Sequence, residues 1–163
     1  MILTGQRRSE IAGLKWSEVE GDVLALPTER MKGKQAHVVP LSMQAAAIIA
    51  AQPKADDFVL GRALGWHFHH VKQALDAHMG KTPKWVIHDV RRSVASGMAR
   101  IGVAVPVVEK ILAHRSGTFR GIVGTYQRHS FLPEMAAAMQ KWGDHVEQLV
   151  TGKLAKVVKL PRR

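Results

Sequence analysis

The sequence predicts a mainly α-helical fold with one small antiparallel β-hairpin. Apolar residues recur at helical spacing along most of the 163 residues. Two short apolar runs, residues 22–27 and 36–41, flank a basic turn that contains Gly33, a pattern typical of a hairpin. Hydrophobic residues make up 46% of the chain and charged residues 23%, which indicates a single globular domain with a sizeable core.

Helical periodicity fixes the remaining elements in order. Residues 9–19 form the first predicted helix, and Ser42 can cap the second, residues 43–51. Further helices are predicted over residues 66–78, 88–101, 106–113 and 133–150. Residues 58–60 are too few to assign. Residues 117–124 contain three glycines and predict a mobile connection.

The charge of the chain indicates its class of partner. Lys and Arg number 24 against 13 Asp and Glu, so the formal net charge is +11. Such a surface attracts nucleic acid or an acidic membrane, although it can also serve solubility alone. No apolar run approaches the roughly 20 residues of a membrane span. With no cysteine and no secretory signal, thiol chemistry is excluded and we expect a cytoplasmic protein, encoded by a bacterium or a phage.

Tyr126 is the only tyrosine of the chain. A lone tyrosine is more often a packing residue than a catalytic one. Here it follows a glycine-rich segment and stands among polar and basic residues, including Arg128 and His129. A phenol beside cations has the chemistry of a phosphate-attacking nucleophile, provided that another group takes its proton, since its reference pKa is about 10.

Four other segments carry groups that can act on a phosphate. His88 and Arg91 lie three residues apart and share a helix face. The others are Thr4-Gly5-Gln6-Arg7 with Glu10 one turn later, Lys32 in the basic turn, and His114 after a predicted helix. Each has an ordinary structural alternative, such as a solvated lysine or a histidine that caps a helix.

Taken in order, these segments resemble the active site of the tyrosine recombinases, the phage integrase type. The order is T-G-x-R with Arg7, a lysine at a hairpin tip, H-x-x-R, L-A-H, and finally tyrosine. Local sequences agree, including L-K-W-S-E, V-V-P-L-S and H-D-V-R-R. The resemblance covers residues 4–133 and implies the catalytic-domain fold of these DNA breaking-rejoining enzymes. Residues 1–150 would form that domain, and residues 151–163 a basic C-terminal tail.

The resemblance implies that Arg7 and Arg91 clamp the scissile phosphate and that Glu10 supports Arg7. It also implies that Lys32 is the general acid for the leaving 5′ oxygen.

By the same resemblance, His88 and His114 bind the phosphate or handle the tyrosine proton, and Tyr126 forms a 3′-phosphotyrosine. No metal, ATP or other cofactor is expected. The residues expected to contact DNA outside the reaction centre are Arg8, Lys34, Arg92, Arg115 and Arg128.

The implied partners are double-stranded DNA and further copies of the chain. The predicted helix 133–150 is a candidate interface between copies on DNA, but it can equally fold back on its own core. No membrane partner is expected. Members of the family usually have another helix and a DNA-clamping domain before T-G-x-R. We therefore expect a fragment, and the alternative function is a catalytically inert DNA-binding fragment of a decayed or truncated integrase.

Two further alternatives stay open on sequence. Type IB topoisomerases share the same chemistry, so relaxation activity is not excluded. His67-Phe68-His69 matches the histidine motif of tyrosine-dependent replication initiators and relaxases. That motif needs both histidines on one side of a strand, whereas the spacing here predicts a helix, on which residues two apart diverge.

Overall fold

The computed structural model describes residues 1–61, 64–114 and 130–152, without the side chains of residues 64–67. Its helices are α1 (Arg8–Ala12), α2 (Met43–Ala50), α3 (Leu64–Met79), α4 (Ile87–Arg100), α5 (Val105–Ile111) and α6 (Leu132–Thr151). Its strands are β1 (Val19–Glu20), β2 (Val23–Leu26) and β3 (His37–Pro40). The predicted fold class, mainly helical with a small antiparallel sheet, is confirmed.

The hairpin is β2 and β3, which pair antiparallel with Leu24 opposite Val39 and Leu26 opposite His37. The short strand β1, which the sequence did not reveal, adds to the outer edge of β2. In the connection between β2 and β3, the left-handed residue is Lys34 (φ 50°) and not Gly33. A non-glycine residue in this conformation is uncommon, and it constrains the loop that carries Lys32 and Lys34.

The first predicted helix was too long. It ends at Ala12, and a 3-10 turn over Trp16–Glu18 follows. Between them, Leu14 accepts a hydrogen bond from the amide of Val59 (2.8 Å), and Lys15 forms an isolated bridge with Phe58. These pairings with a distant segment replace the helical hydrogen bonds that the local apolar spacing predicts.

The later helices agree with the sequence to within two residues at each end. Ser42 caps α2 as expected, since its hydroxyl accepts a hydrogen bond from the amide of Ala45 (3.3 Å). Gly102 follows α4 in the left-handed conformation (φ 79°). The expected mobile connection, residues 117–124, lies outside the described residues. Of the expected basic tail, residues 151–163, only the first two are described: Thr151 still belongs to α6, and Gly152 follows it in the left-handed conformation (φ 66°).

Helices α4, α5 and α6 pack with the sheet around one core, at whose centre Leu24, Val39, Met98, Ile111 and Met139 are at most 1% exposed. The apolar face of α6 lies in this core rather than on the surface, so the fold-back alternative is confirmed for that face.

Trp142 of α6 contacts both α4 and the first residues of the chain. Its ring lies against Gly97, where an added Cβ would come within 2.5 Å of the indole. Its Nε1 donates to the carbonyl of Ile2 (2.8 Å), three residues before Gly5.

Candidate active site

Arg7 and Glu10 form the first part of the site at the start of α1. The Glu10 carboxylate accepts hydrogen bonds from the amide of Arg7 and from its Nη1, both at 2.7 Å. Glu10 is 2% exposed, whereas the Arg7 side chain is 25% exposed. One buried carboxylate therefore caps the helix and orients the guanidinium, whose accessible part can bind an anion.

Arg91 of α4 is almost completely buried, with 3% of its surface exposed. Its Nη1 donates to the carbonyl of Gly5 (2.6 Å), and its Nη2 donates to the carbonyl of Leu112. Burial and, after it, the charge of Arg7 lower the pKa of Arg91 to about 10, against an opposing effect of the Glu10 carboxylate. Arg91 is still a cation at neutral pH. The two hydrogen bonds hold its fork and use only part of the five N–H donors of a guanidinium.

Gly5 allows the segment before α1 to lie close to the end of α5. Its φ of +65° is one that other residues rarely adopt, and an added Cβ would lie 2.8 Å from the side chain of Leu112. The T-G-x-R segment thus needs its glycine both for backbone conformation and for contact with the end of α5.

His114 follows α5 directly after Ala113, which is left-handed (φ 47°). The turn is closed by the amide of His114, which donates to the carbonyl of Glu109 (3.0 Å). Burial lowers the pKa of His114 below its usual 6.5, and the charges of Arg91 and Arg7 add to this effect. His114 is therefore mainly neutral at pH 7 and lies within the electrostatic range of both arginines.

Both arginines border an open cleft of about 500 Å³. One wall consists of α1 and the start of α4 and includes Arg7, His88 and Arg91. The opposite wall is α3, which contributes Phe68, His69 and Lys72 and is called the α3 wall below. His88 is exposed in the first turn of α4. The cleft can thus present two guanidinium groups and an imidazole to a single phosphate.

The structure brings together Arg7, Glu10, His88, Arg91 and His114, but it does not connect Lys32 to them. Lys32 and Lys34 are exposed on the loop between β2 and β3, and in the described part of the chain neither forms an ion pair. Tyr126, Arg115 and Arg128 lie outside the described residues. Their expected roles remain predictions.

Arg8 and Arg92 are both exposed, as residues expected to contact DNA should be. The guanidinium of Arg8 lies 5.8 Å from the ring of Phe68 across the cleft. That of Arg92 is 3.2 Å from the carboxylate of Asp89, which caps α4 through the amide of Val86 (2.9 Å).

Two residues of the site were missed from sequence. Gln6, fully buried, donates through Nε2 to the carbonyl of Ile111 (2.8 Å), and Nε2 of His37 lies 3.0 Å from the same oxygen. Burial lowers the pKa of His37, and its electrostatic neighbours are Glu10, Arg91 and Arg7. Strand alternation was the available signal, because His37 shares a face of β3 with the buried Val39.

Over residues 1–61, 64–114 and 130–152, no group of three or more His, Asp or Glu side chains is arranged to hold a metal ion. The backbone at His67 and His69 is helical, as expected, which removes the strand that a relaxase-type histidine motif requires. None of the described helices has the length and apolar character needed to cross a membrane.

Comparisons with known proteins agree with this geometry. The chain is 27% identical over 161 residues to the prophage integrase IntZ of Escherichia coli strain K12, a match that covers 93% of this chain and 39% of that protein. No solved structure matches the chain. The profile of the phage integrase family matches residues 1–131, which include every segment of the resemblance except its last two residues. The chain therefore belongs to the phage integrase family.

Proposed function

We propose that the chain is the catalytic part of a tyrosine recombinase that carries out site-specific recombination and integration of double-stranded DNA. The observation that carries the proposal is the pairing of Arg7 with Arg91 at one cleft, the first oriented by a buried carboxylate and the second held by two backbone carbonyls. The match covers 39% of the length of IntZ, so recombination as a whole recombinase performs it is a proposal for this chain.

The arginine pair binds the non-bridging oxygens of the scissile phosphate. Its two positive charges stabilise the extra negative charge of the pentavalent transition state, and loss of one such donor typically lowers the rate by about 10²–10³-fold. A desolvated site strengthens each of these interactions. The burial of Arg91 and Glu10 supports this role.

The reaction then needs a nucleophile and two proton transfers. The phenol oxygen of Tyr126 bonds to phosphorus, and its proton passes to His114 or His88. The bond from phosphorus to the 5′ oxygen breaks, and Lys32 protonates that oxygen. Neutral His114, favoured by its lowered pKa, can accept a proton. A second 5′ hydroxyl reverses these steps and reseals the strand, because the phosphotyrosine conserves the bond energy.

Binding to DNA is expected to depend strongly on salt. The net charge of +11 and the exposed Arg8, Lys34 and Arg92 support several phosphate contacts. Each neutralised phosphate adds about −0.9 to the slope of log affinity against log salt on duplex DNA.

Covalent trapping tests the proposal. The protein is incubated with a pool of nicked duplexes that lose a short fragment after cleavage, and detergent-stable protein–DNA adducts are then measured. We expect an adduct with the natural sequence and none with Tyr126→Phe. Arg100→Ala, which removes an exposed charge at the end of α4 that has no assigned role, is the control for a change in net charge and should retain the adduct.

The other outcomes are equally informative. An adduct that persists in Tyr126→Phe would exclude this nucleophile. Salt-sensitive binding without any adduct would favour the alternative of an inert DNA-binding fragment. ATP-independent relaxation of supercoiled DNA, without strand exchange, would favour a topoisomerase-like activity.

A further inference from the structure

The loop of residues 31–36, called here the lysine loop, carries Lys32 and Lys34 between the sheet strands. Both lysines are exposed. An exposed lysine has many rotamers, whereas a general acid must stay within hydrogen-bond distance of one oxygen. The ends of the loop therefore decide where Lys32 can reach.

Arg30 anchors the start of the lysine loop. Its Nη2 donates to the carbonyls of Glu10 (2.6 Å) and Ser9 (3.3 Å), and its Nη1 donates to the carboxylate of Glu18. The Arg30 side chain is 19% exposed and that of Glu18 is 7% exposed. The guanidinium thus ties the residue just before the loop to α1, the helix that begins after Arg7.

His37 anchors the other end. Its Nε2 lies 3.0 Å from the carbonyl of Ile111, and since a carbonyl only accepts, this nitrogen carries the hydrogen. The same carbonyl also accepts from Gln6, and the next one, of Leu112, accepts from Arg91. His37 therefore ties the residue just after the loop to the end of α5, which presents His114.

We propose that Arg30 and His37 are positioning residues that hold the two ends of the lysine loop against the phosphate-binding elements, so that Lys32 reaches the leaving 5′ oxygen. The inference rests on the proposed function. Neither Arg30 nor His37 is expected to touch the phosphate. Arg30 sets the loop relative to Arg7, and His37 sets it relative to His114 and Arg91.

A change of leaving group separates this role from a purely structural one. Two nicked duplexes are compared at the position where the pool shows cleavage, one with the natural bridging 5′ oxygen and one with a bridging 5′ sulfur. A thiol is far more acidic than an alcohol, so sulfur leaves without a proton donor. A variant that has lost only proton donation is therefore slow on the oxygen duplex and fast on the sulfur duplex.

The anchor variants are Arg30→Met and His37→Phe, and His37→Gln is the matched control that keeps an N–H donor. Lys32→Ala and Arg7→Ala are the references for loss of the acid and of the clamp. On the oxygen duplex, both anchor variants should lose part or all of the about 10²–10⁴-fold that a general acid contributes. On the sulfur duplex they should regain the wild-type rate, as should Lys32→Ala, while Arg7→Ala stays slow on both.

Equal losses of the anchor variants on both duplexes would overturn the inference, since the anchors would then serve the clamp or the fold. Failure of sulfur to restore Lys32→Ala would overturn it too, because there would be no acid to position. His37→Phe decides the question even if Arg30→Met does not fold, since His37 is only half-buried. If the wild-type protein gives no adduct with either duplex, the proposed function fails, and this inference fails with it.

Discussion

The two walls of the cleft are held in different ways. The wall formed by α1 and the start of α4 is called the arginine wall below. On it, buried hydrogen bonds link Arg91 to two carbonyls, and the buried carboxylate of Glu10 accepts from Arg7. On the α3 wall, the contacts are at the surface: Lys72 lies 4.6 Å from the ring of Trp85 and 2.6 Å from the carboxylate of Asp76.

Exposure reinforces this contrast. The apolar residues Val71, Leu75 and Met79 of α3 are 40 to 49% exposed, whereas Arg91 is 3% exposed. Buried polar groups have few alternative arrangements, while exposed contacts cost little to break. The arginine wall is therefore preorganised, whereas the facing helix is free to adjust.

The largest effect should come from Arg91→Ala. It leaves the buried carbonyls of Gly5 and Leu112 without a donor, at a cost of about 1–3 kcal/mol each. We expect the free energy of unfolding in urea to fall by about 3 kcal/mol and the cleavage rate to fall by about 10²–10³-fold. Arg92→Ala, the next residue of α4, has a side chain that is 78% exposed and should lose at most about 1 kcal/mol. Equal losses in the two variants would show that the wall is not preorganised.

Gly5→Ala should have the next largest effect. The substitution forces a left-handed alanine, at about 1–2 kcal/mol, and brings its Cβ to 2.8 Å from Leu112. Gly21→Ala is the control, because Gly21 has nearly the same φ (+60°) and nothing lies within 4 Å of an added Cβ. Thermal unfolding should show the larger loss at Gly5, and the difference measures the tightness of the arginine wall. Equal losses would mean that the backbone, and not the contact, needs this glycine.

A smaller effect is expected from pH. Burial lowers the pKa of His37 and His114, so below about pH 6.5 the unfolded chain binds protons more readily than the folded one. The free energy of unfolding should therefore fall as the pH drops from 7 towards 5. Urea titrations across this range should give a shallower slope for His37→Gln than for the wild type. An unchanged slope would mean that His37 is not buried as described.

The smallest effect should be on the α3 wall. Lys72→Met removes the contacts of the ammonium with Asp76 and Trp85, which solvent screens at this exposed site, so the loss of stability should be small. Hydrogen exchange should speed up in α3 and stay unchanged in α4. A loss that extends to α4 would indicate that the two walls unfold together.

The sequence alone predicted most of the helices, the hairpin and three residues that line the cleft, Arg7, His88 and Arg91. It also predicted Glu10, which is bonded to Arg7, and His114, which feels the charges of both arginines. Hydrophobic periodicity and the T-G-x-R and H-x-x-R motifs are local patterns, so they can be recognised without knowledge of the tertiary fold. What could not be predicted depends on segments far apart in the chain. The early end of α1 follows from pairing with Phe58 and Val59, and the anchor at His37 exists only because α5 ends beside β3.

The contacts of the Trp142 indole couple α6 to the start of the chain. The indole rests on a glycine of α4 and donates to the carbonyl of Ile2, so the last helix holds the segment that leads into Gly5 and Arg7. Deletion of α6 and the residues after it would therefore be expected to disturb the position of Arg7 in the cleft, although no lining residue of the cleft belongs to α6. We expect the first and last segments of the described chain to unfold together. In a variant that keeps Trp142 and replaces the other three tryptophans, indole fluorescence would report whether the arginine wall is assembled.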